Sequence, residues 1–185
     1  MNWIIRNWTA FSILILVIGA GWMVFLPPLP NETTGGRTPA PGEGFLAPDF
    51  ALQDAQGKTV RLSDLRGGPV LVNMWASWCP PCQAEMPAMQ KTYEIYAKQG
   101  FTILAVNTTY QDEQSAALEF AAQHGLTFPI LFDLDGSVSR AYRVQSMPTS
   151  FFIDQEGVIR RVIIGGPMAA GLLQAEIEQL LKEKR

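Results

Sequence analysis

Cysteine and histidine are scarce in this chain: among 185 residues there are two cysteines and one histidine. Two cysteines cannot build a disulfide framework. Together with His124 they fall short of the four ligands of a structural zinc site. Basic excess is lacking as well. The formal net charge is −3, so no positive field exists to hold nucleic acid, and that function class is excluded. No internal repeat is visible. What the chain does have is apolar material, 48 % of its residues, enough for a packed core. Its length suits one ordinary domain with an extension.

The extension is at the start. Residues 1–8 carry one charge, Arg6, and read as a cytoplasmic N-terminus. Thr9 to Leu26 carries none. As a helix this run spans about 27 Å, close to a hydrocarbon core of roughly 30 Å. Trp3, Trp8 and Trp22 stand where interfacial aromatics anchor a span, and Pro27, Pro28 and Pro30 end it. Residues 9–27 are therefore expected to be one transmembrane helix in the lipid bilayer. Gly19-Ala20-Gly21 is a poor cleavage site, and the apolar run continues past it, so a retained anchor is favoured over a removed signal peptide. Arg6 ahead of the span places the body of the chain outside the cytoplasm, as a single-pass cell-membrane protein. Residues 28–44, rich in Pro, Gly and Thr, read as a flexible linker. The folded domain is expected over 45–185.

Within it, "DFALQDAQGKTVRLSDLRG" reads as two short strands around Gln56-Gly57. "PVLVNMWA" is a continuous apolar run and fits a central strand buried on both faces. A helix is expected from Pro80 to about Gln99, with Met86, Met89, Tyr93 and Tyr96 inward and a kink at Pro87. "FTILAVNT" and "FPILFD" are strands around a helix that stops at Gly125. "SFFID" and "VIRRVIIGG" form a hairpin, and Leu173, Ile177, Leu180 and Leu181 stripe a last helix. The pattern is α/β with a mixed sheet.

Both cysteines lie in "WASWCPPCQAEMP", 75–87. The pair follows a strand and opens a helix, with Cys79 at the N-cap, Pro80 at N1, Pro81 at N2 and Cys82 at N3. A thiolate at Cys79 faces the positive helix pole, which lowers its pKa. The spacing lets the sulfurs bond. Cys79 is then an exposed nucleophile and Cys82 a sheltered resolving thiol. Neither proline has an N–H, so the thiolate gains fewer donors and the couple should be reducing. Haem attachment needs C-x-x-C-H, and residue 83 is Gln.

"LVNMWASWCPPCQAEMP" and "QSMPTSFFID" together resemble the TlpA/ResA-like thiol–disulfide oxidoreductases of the thioredoxin superfamily, redoxin or AhpC/TSA type. The resemblance covers nearly all of 45–185. It implies a thioredoxin-like fold with an N-terminal β-hairpin extension. A strand–helix insert lies within the 66 positions from Cys82 to Pro148. It also implies a cis Met147–Pro148 peptide beside the cysteines, with the Met147 backbone free to pair with substrate and Thr149 starting the next strand. Trp78, Pro80, Pro81, Met147 and Thr149 are expected to contact substrate. Asn73 stands where thioredoxin proper carries a buried Asp, and Glu85 is expected to accept the Cys82 proton. No cofactor is implied. The implied partners are disulfide-containing proteins such as apocytochrome c, and a membrane thiol–electron donor of the CcdA or DsbD type.

Other features read blandly. Trp75 is core, His124 surface, and Met86 and Met89 core. Asp133-Leu134-Asp135-Gly136 is a turn without the other ligands of a calcium loop. Asn31-Glu32-Thr33 and Asn107-Thr108-Thr109 match a weak glycosylation pattern. Two alternatives stay open: a peroxiredoxin-like peroxidase, whose P-x-x-x-T-x-x-C setting is missing here, and a Sco-like copper carrier, which uses C-x-x-x-C.

Overall fold

The computed structural model describes residues 38–182. Among them no helix is long and apolar enough to cross a membrane. The span expected at 9–27 lies outside the described residues, as do 28–37 of the expected linker. Residues 38–44 are hydrogen-bonded to the domain: Gly44 N–H donates to Ile159 O at 2.8 Å, and Val162 N–H to Glu43 Oε1 at 2.9 Å.

The strands are β1 (Ala51–Asp54), β2 (Thr59–Arg61), β3 (Val70–Trp75), β4 (Thr102–Asn107), β5 (Ile130–Phe132), β6 (Thr149–Ile153) and β7 (Ile159–Ile164). The helices are α1 (Pro80–Tyr96), α2 (Gln114–Gln123), α3 (Ser137–Ala141) and α4 (Ala170–Lys182). One seven-stranded sheet runs β2-β1-β5-β4-β3-β6-β7. The three strands β3, β4 and β5 are parallel neighbours, while β6, β7, β1 and β2 attach antiparallel. This is the mixed sheet that the sequence pattern implies. The hairpin β1–β2 is the N-terminal extension, and β5 with α3 is the strand–helix unit between the cysteines and Pro148.

β3 is central and wholly buried. Side chains alternate across a strand, so Leu71 and Trp75 enter one core and Val72 and Met74 the other. The first core lies under α1, α2 and α4 and holds Met86, Met89, Phe120, Leu173 and Ile177. The second lies under α3 and the N-terminal segment, with Phe50, Leu62, Val138 and Tyr142. Asn73 shares the face of Leu71 and Trp75, so it points at α1. That parity decides the site chemistry.

α1 continues as helix through Pro87 to Tyr96. It is tied to α4 by the Tyr96 hydroxyl, which donates to Glu178 Oε1 at 2.7 Å. Two local features were not expected. The helix α3 follows the turn at 133–136, where the buried Asp133 carboxylate accepts from the N–H groups of Val138 and Ser139 and from Ser139 Oγ. Gly166–Pro167 is a second cis peptide beside the expected Met147–Pro148. One pattern match is corrected: Asn107 is fully buried at the end of β4, so its side chain is not open to glycosylation.

Candidate active site

β3 delivers the chain to the turn Ala76–Trp78, and α1 begins directly after it. Cys79 is the N-cap, with extended backbone, and Pro80 and Pro81 fill the first two helical positions. Proline is tolerated there because those N–H groups have no intrahelical acceptor. Cys82 N–H donates to Cys79 Sγ at 3.3 Å, and Gln83 N–H to Cys79 O at 3.0 Å. Of the two amides left after the prolines, one serves the sulfur and the other the backbone.

Cys79 and Cys82 form a disulfide, with Cα atoms 5.3 Å apart. Cys82 has no solvent exposure and Cys79 has 4 %. The exposed sulfur expected at the N-cap is thus corrected for this bonded pair. Cys79 remains the more exposed residue of the two. Trp78, by contrast, is 55 % exposed and forms the rim, its Nε1–H donating to Gln111 O at 2.8 Å. Pro80 is exposed and Pro81 half-buried.

Met74 is opposite Thr149 in the β3–β6 register. The cis Met147–Pro148 bond therefore sits at the end of the sheet where β3 leaves toward Cys79. Met147 packs against the core that holds both cysteines, and Thr108 Oγ–H points at its sulfur at 3.3 Å. Thr149 is buried, and its hydroxyl donates to Ser146 O at 2.7 Å.

One turn into α1, Glu85 is buried at 2 % exposure. Asn73 Nδ2–H donates to its Oε1 at 2.8 Å and also to Ser150 Oγ at 3.0 Å. Met168 N–H donates to Oε2 at 3.0 Å. Burial raises the Glu85 carboxyl above the usual carboxylate range, against the lowering pull of the Met168 and Asn73 donors. A carboxyl so placed holds its proton to higher pH than an exposed carboxyl does. Gly166 closes the site. A Cβ there would lie 2.6 Å from Pro148 Cγ and 2.9 Å from Glu85 Oε2, so cis-proline loop, acid and glycine share one small space.

The structure thus brings Asn73, Cys79, Cys82, Glu85, Met147, Pro148 and Thr149 to one end of the sheet. Sequence reasoning missed Ser150, Gly166 and Met168. Ser150 is signalled only by the β3–β6 register, which sets it opposite Asn73. Gly166 reads only as the end of "VIRRVIIGG", and Met168 carries no signal in the sequence.

The chain's relatives agree with this geometry. A model of the AhpC/TSA family matches residues 44–162. The thiol–disulfide oxidoreductase ResA of Geobacillus kaustophilus is 40 % identical over 153 residues, 83 % of each chain. The thioredoxin-like protein YneN of Bacillus subtilis is 36 % identical over 96 % of this chain and 98 % of its own. Among solved structures, a thiol:disulfide interchange protein DsbE from Chlorobium tepidum superposes with a TM-score of 0.70 at 38 % identity, covering 76 % of this chain and 98 % of that one. A bonded C-x-x-C pair on a helix N-terminus, with a cis-proline at the same end of the sheet, suits a dithiol–disulfide exchanger, and on that geometry and these likenesses the chain belongs to the AhpC/TSA family as a thiol–disulfide oxidoreductase of the ResA/DsbE type.

Proposed function

We propose that this oxidoreductase works as a membrane-anchored, extracytoplasmic reductant of protein disulfides. The Cys79 thiolate attacks one sulfur of a substrate disulfide, the substrate S–S bond breaks, and a mixed disulfide forms. Cys82 then gives its proton to Glu85 and attacks Cys79 Sγ. The substrate leaves as a dithiol, and two electrons have passed from the cysteine pair to it. The Cys79–Cys82 disulfide remains and is reduced by a membrane thiol carrier of the CcdA or DsbD type. Trp78, Pro80 and Pro81 form the rim against which substrate lies. The Met147 backbone pairs with an extended substrate segment, oriented by Pro148 and Thr149.

The single observation that carries this reading is the burial of Glu85 beside the resolving end of α1, held by Asn73 and Met168. Direction follows from the prolines, which remove two donors from the Cys79 thiolate and favour the oxidised pair. Residues 9–27 supply the anchor, with residues 1–8 in the cytoplasm and the domain outside. Apocytochrome c awaiting haem is the proposed substrate class.

The test is a Cys82→Ser variant in the full-length chain. It should hold its partner at Cys79 as a mixed disulfide that dithiothreitol releases, and mass spectrometry should identify an extracytoplasmic thiol protein. Capture of cytosolic proteins alone, or of none, would contradict the proposal.

A further inference from the structure

The turn that leads to Cys79 is fastened from two sides. The Asp112 carboxylate accepts Ser77 N–H at 2.6 Å and Ser77 Oγ–H at 2.6 Å. It also accepts Asn107 Nδ2–H at 2.7 Å and Glu113 N–H at 2.9 Å. Each oxygen takes two donors, which fills a carboxylate's acceptor capacity. The same segment receives the Trp78 indole N–H at Gln111 O, and Thr108 N–H donates to Trp75 O at 2.9 Å. From the other side, Gln83 Nε2–H of α1 donates to Ser77 O. All three polar groups of Ser77 are therefore engaged, two of them by one side chain.

Resting on the reading of Cys79 as nucleophile, we propose that Asp112 is its positioning residue, acting through Ser77. The carboxylate fixes the turn two residues before the N-cap, so the Cys79 sulfur meets the helix end and the substrate in one orientation. The charge of this carboxylate is of the sign that opposes ionisation of a thiol. Burial by itself would raise the Asp112 carboxyl, but the donors of Asn107, Ser77 and Glu113 hold it below the usual range, and it is charged at neutral pH. The neighbouring titratable groups are Glu113, next in sequence to Asp112, and the buried Glu85 of α1. β3 and the loop 144–148 contribute none.

The test compares wild type with Asp112→Ala, Asp112→Asn and Ser77→Ala. It uses insulin-disulfide reduction, the pH midpoint of Cys79 alkylation, and thermal unfolding. Asp112→Ala should lower kcat/KM on the order of tenfold, the loss expected when a charge-assisted hydrogen bond is removed. Asp112→Asn keeps an acceptor for Ser77 N–H and loses the charge. It should recover part of kcat/KM, since the amide NH2 that replaces one oxygen cannot accept the donors that oxygen held, while its Cys79 midpoint falls below wild type. If Asp112→Ala does not fold, Ser77→Ala and Asp112→Asn decide. Wild-type kcat/KM and midpoint in every folded variant, whatever happens to Tm, would overturn the inference. Equal labelling of Cys79 and Cys82 in wild type would instead defeat the nucleophile reading beneath it.

Discussion

Glu85 is the residue to which the proposed function assigns the Cys82 proton, and its surroundings set testable limits. It is an acid on a helix, buried because β3 parity puts Asn73 opposite it and because the 165–168 loop lays the Met168 amide on its other oxygen. Its folded pKa is raised, so over the interval above the ordinary carboxylate value the folded chain binds more protons than the unfolded chain. Stability from this group is thus full below the unfolded pKa and declines as pH rises through the folded one. Glu85→Gln removes that decline. Its Tm should gain on wild type as pH goes from 4 to 8, while resolution of the mixed disulfide slows about a hundredfold at neutral pH, within the usual yield of a general base. Stopped-flow kinetics and melting curves read the two effects, and an unchanged resolution rate would remove the assigned role. Gly166→Ala sends a methyl group into Pro148 and Glu85. It should cut kcat several-fold and displace the cis-proline loop, and tighter packing with unchanged kcat would contradict the shared-space description. The acid and Asn73 were legible because the resemblance marks both positions. Ser150 and Met168 were not, since they reach the site only through strand register and a loop whose path no periodicity encodes.

At the scale of elements, the N-terminus of α1 is where sequence and structure agree most closely. Cys79 at the N-cap and two prolines after it follow from spacing alone, because the first helical turn is the one place that tolerates both prolines. Pro81→Ala restores one N–H to that turn. Interaction of about 0.3–1 kcal/mol with the thiolate should lower the Cys79 pKa by at least a few tenths of a unit and make the couple less reducing. Ultraviolet titration of the thiolate checks this, and a pKa that rises would contradict it. Elsewhere apolar runs located β3, β4, β5 and β6, and the turn at Gln56-Gly57 located β1 and β2. α3 escaped notice because five residues carry no helical periodicity. A buried aspartate three residues before its N-cap, Gly136, stabilises it, and Asp133 read only as part of a turn. The docking of 38–44 escaped for a similar reason. Its hydrogen bonds go to a strand edge more than 100 residues away, as between Glu43 and Val162.

Across residues 38–182, one sheet with two unequal cores holds the candidate site at a single end. The larger core, under α1 and α4, carries the cysteines themselves. Ile177 lies fully buried in it. Ile177→Ala should cost about 2–5 kcal/mol and lower Tm without changing which cysteine reacts. If it reverses the labelling order instead, the separation of scaffold from site is wrong. The measurement that reaches the central claim most directly is pH-resolved alkylation of the reduced, folded protein, with each sulfur followed by mass spectrometry. The account predicts that Cys79 is modified at least about tenfold faster than Cys82, with a midpoint below that of free cysteine at about 8.5. Equal and slow modification of both sulfurs would contradict it.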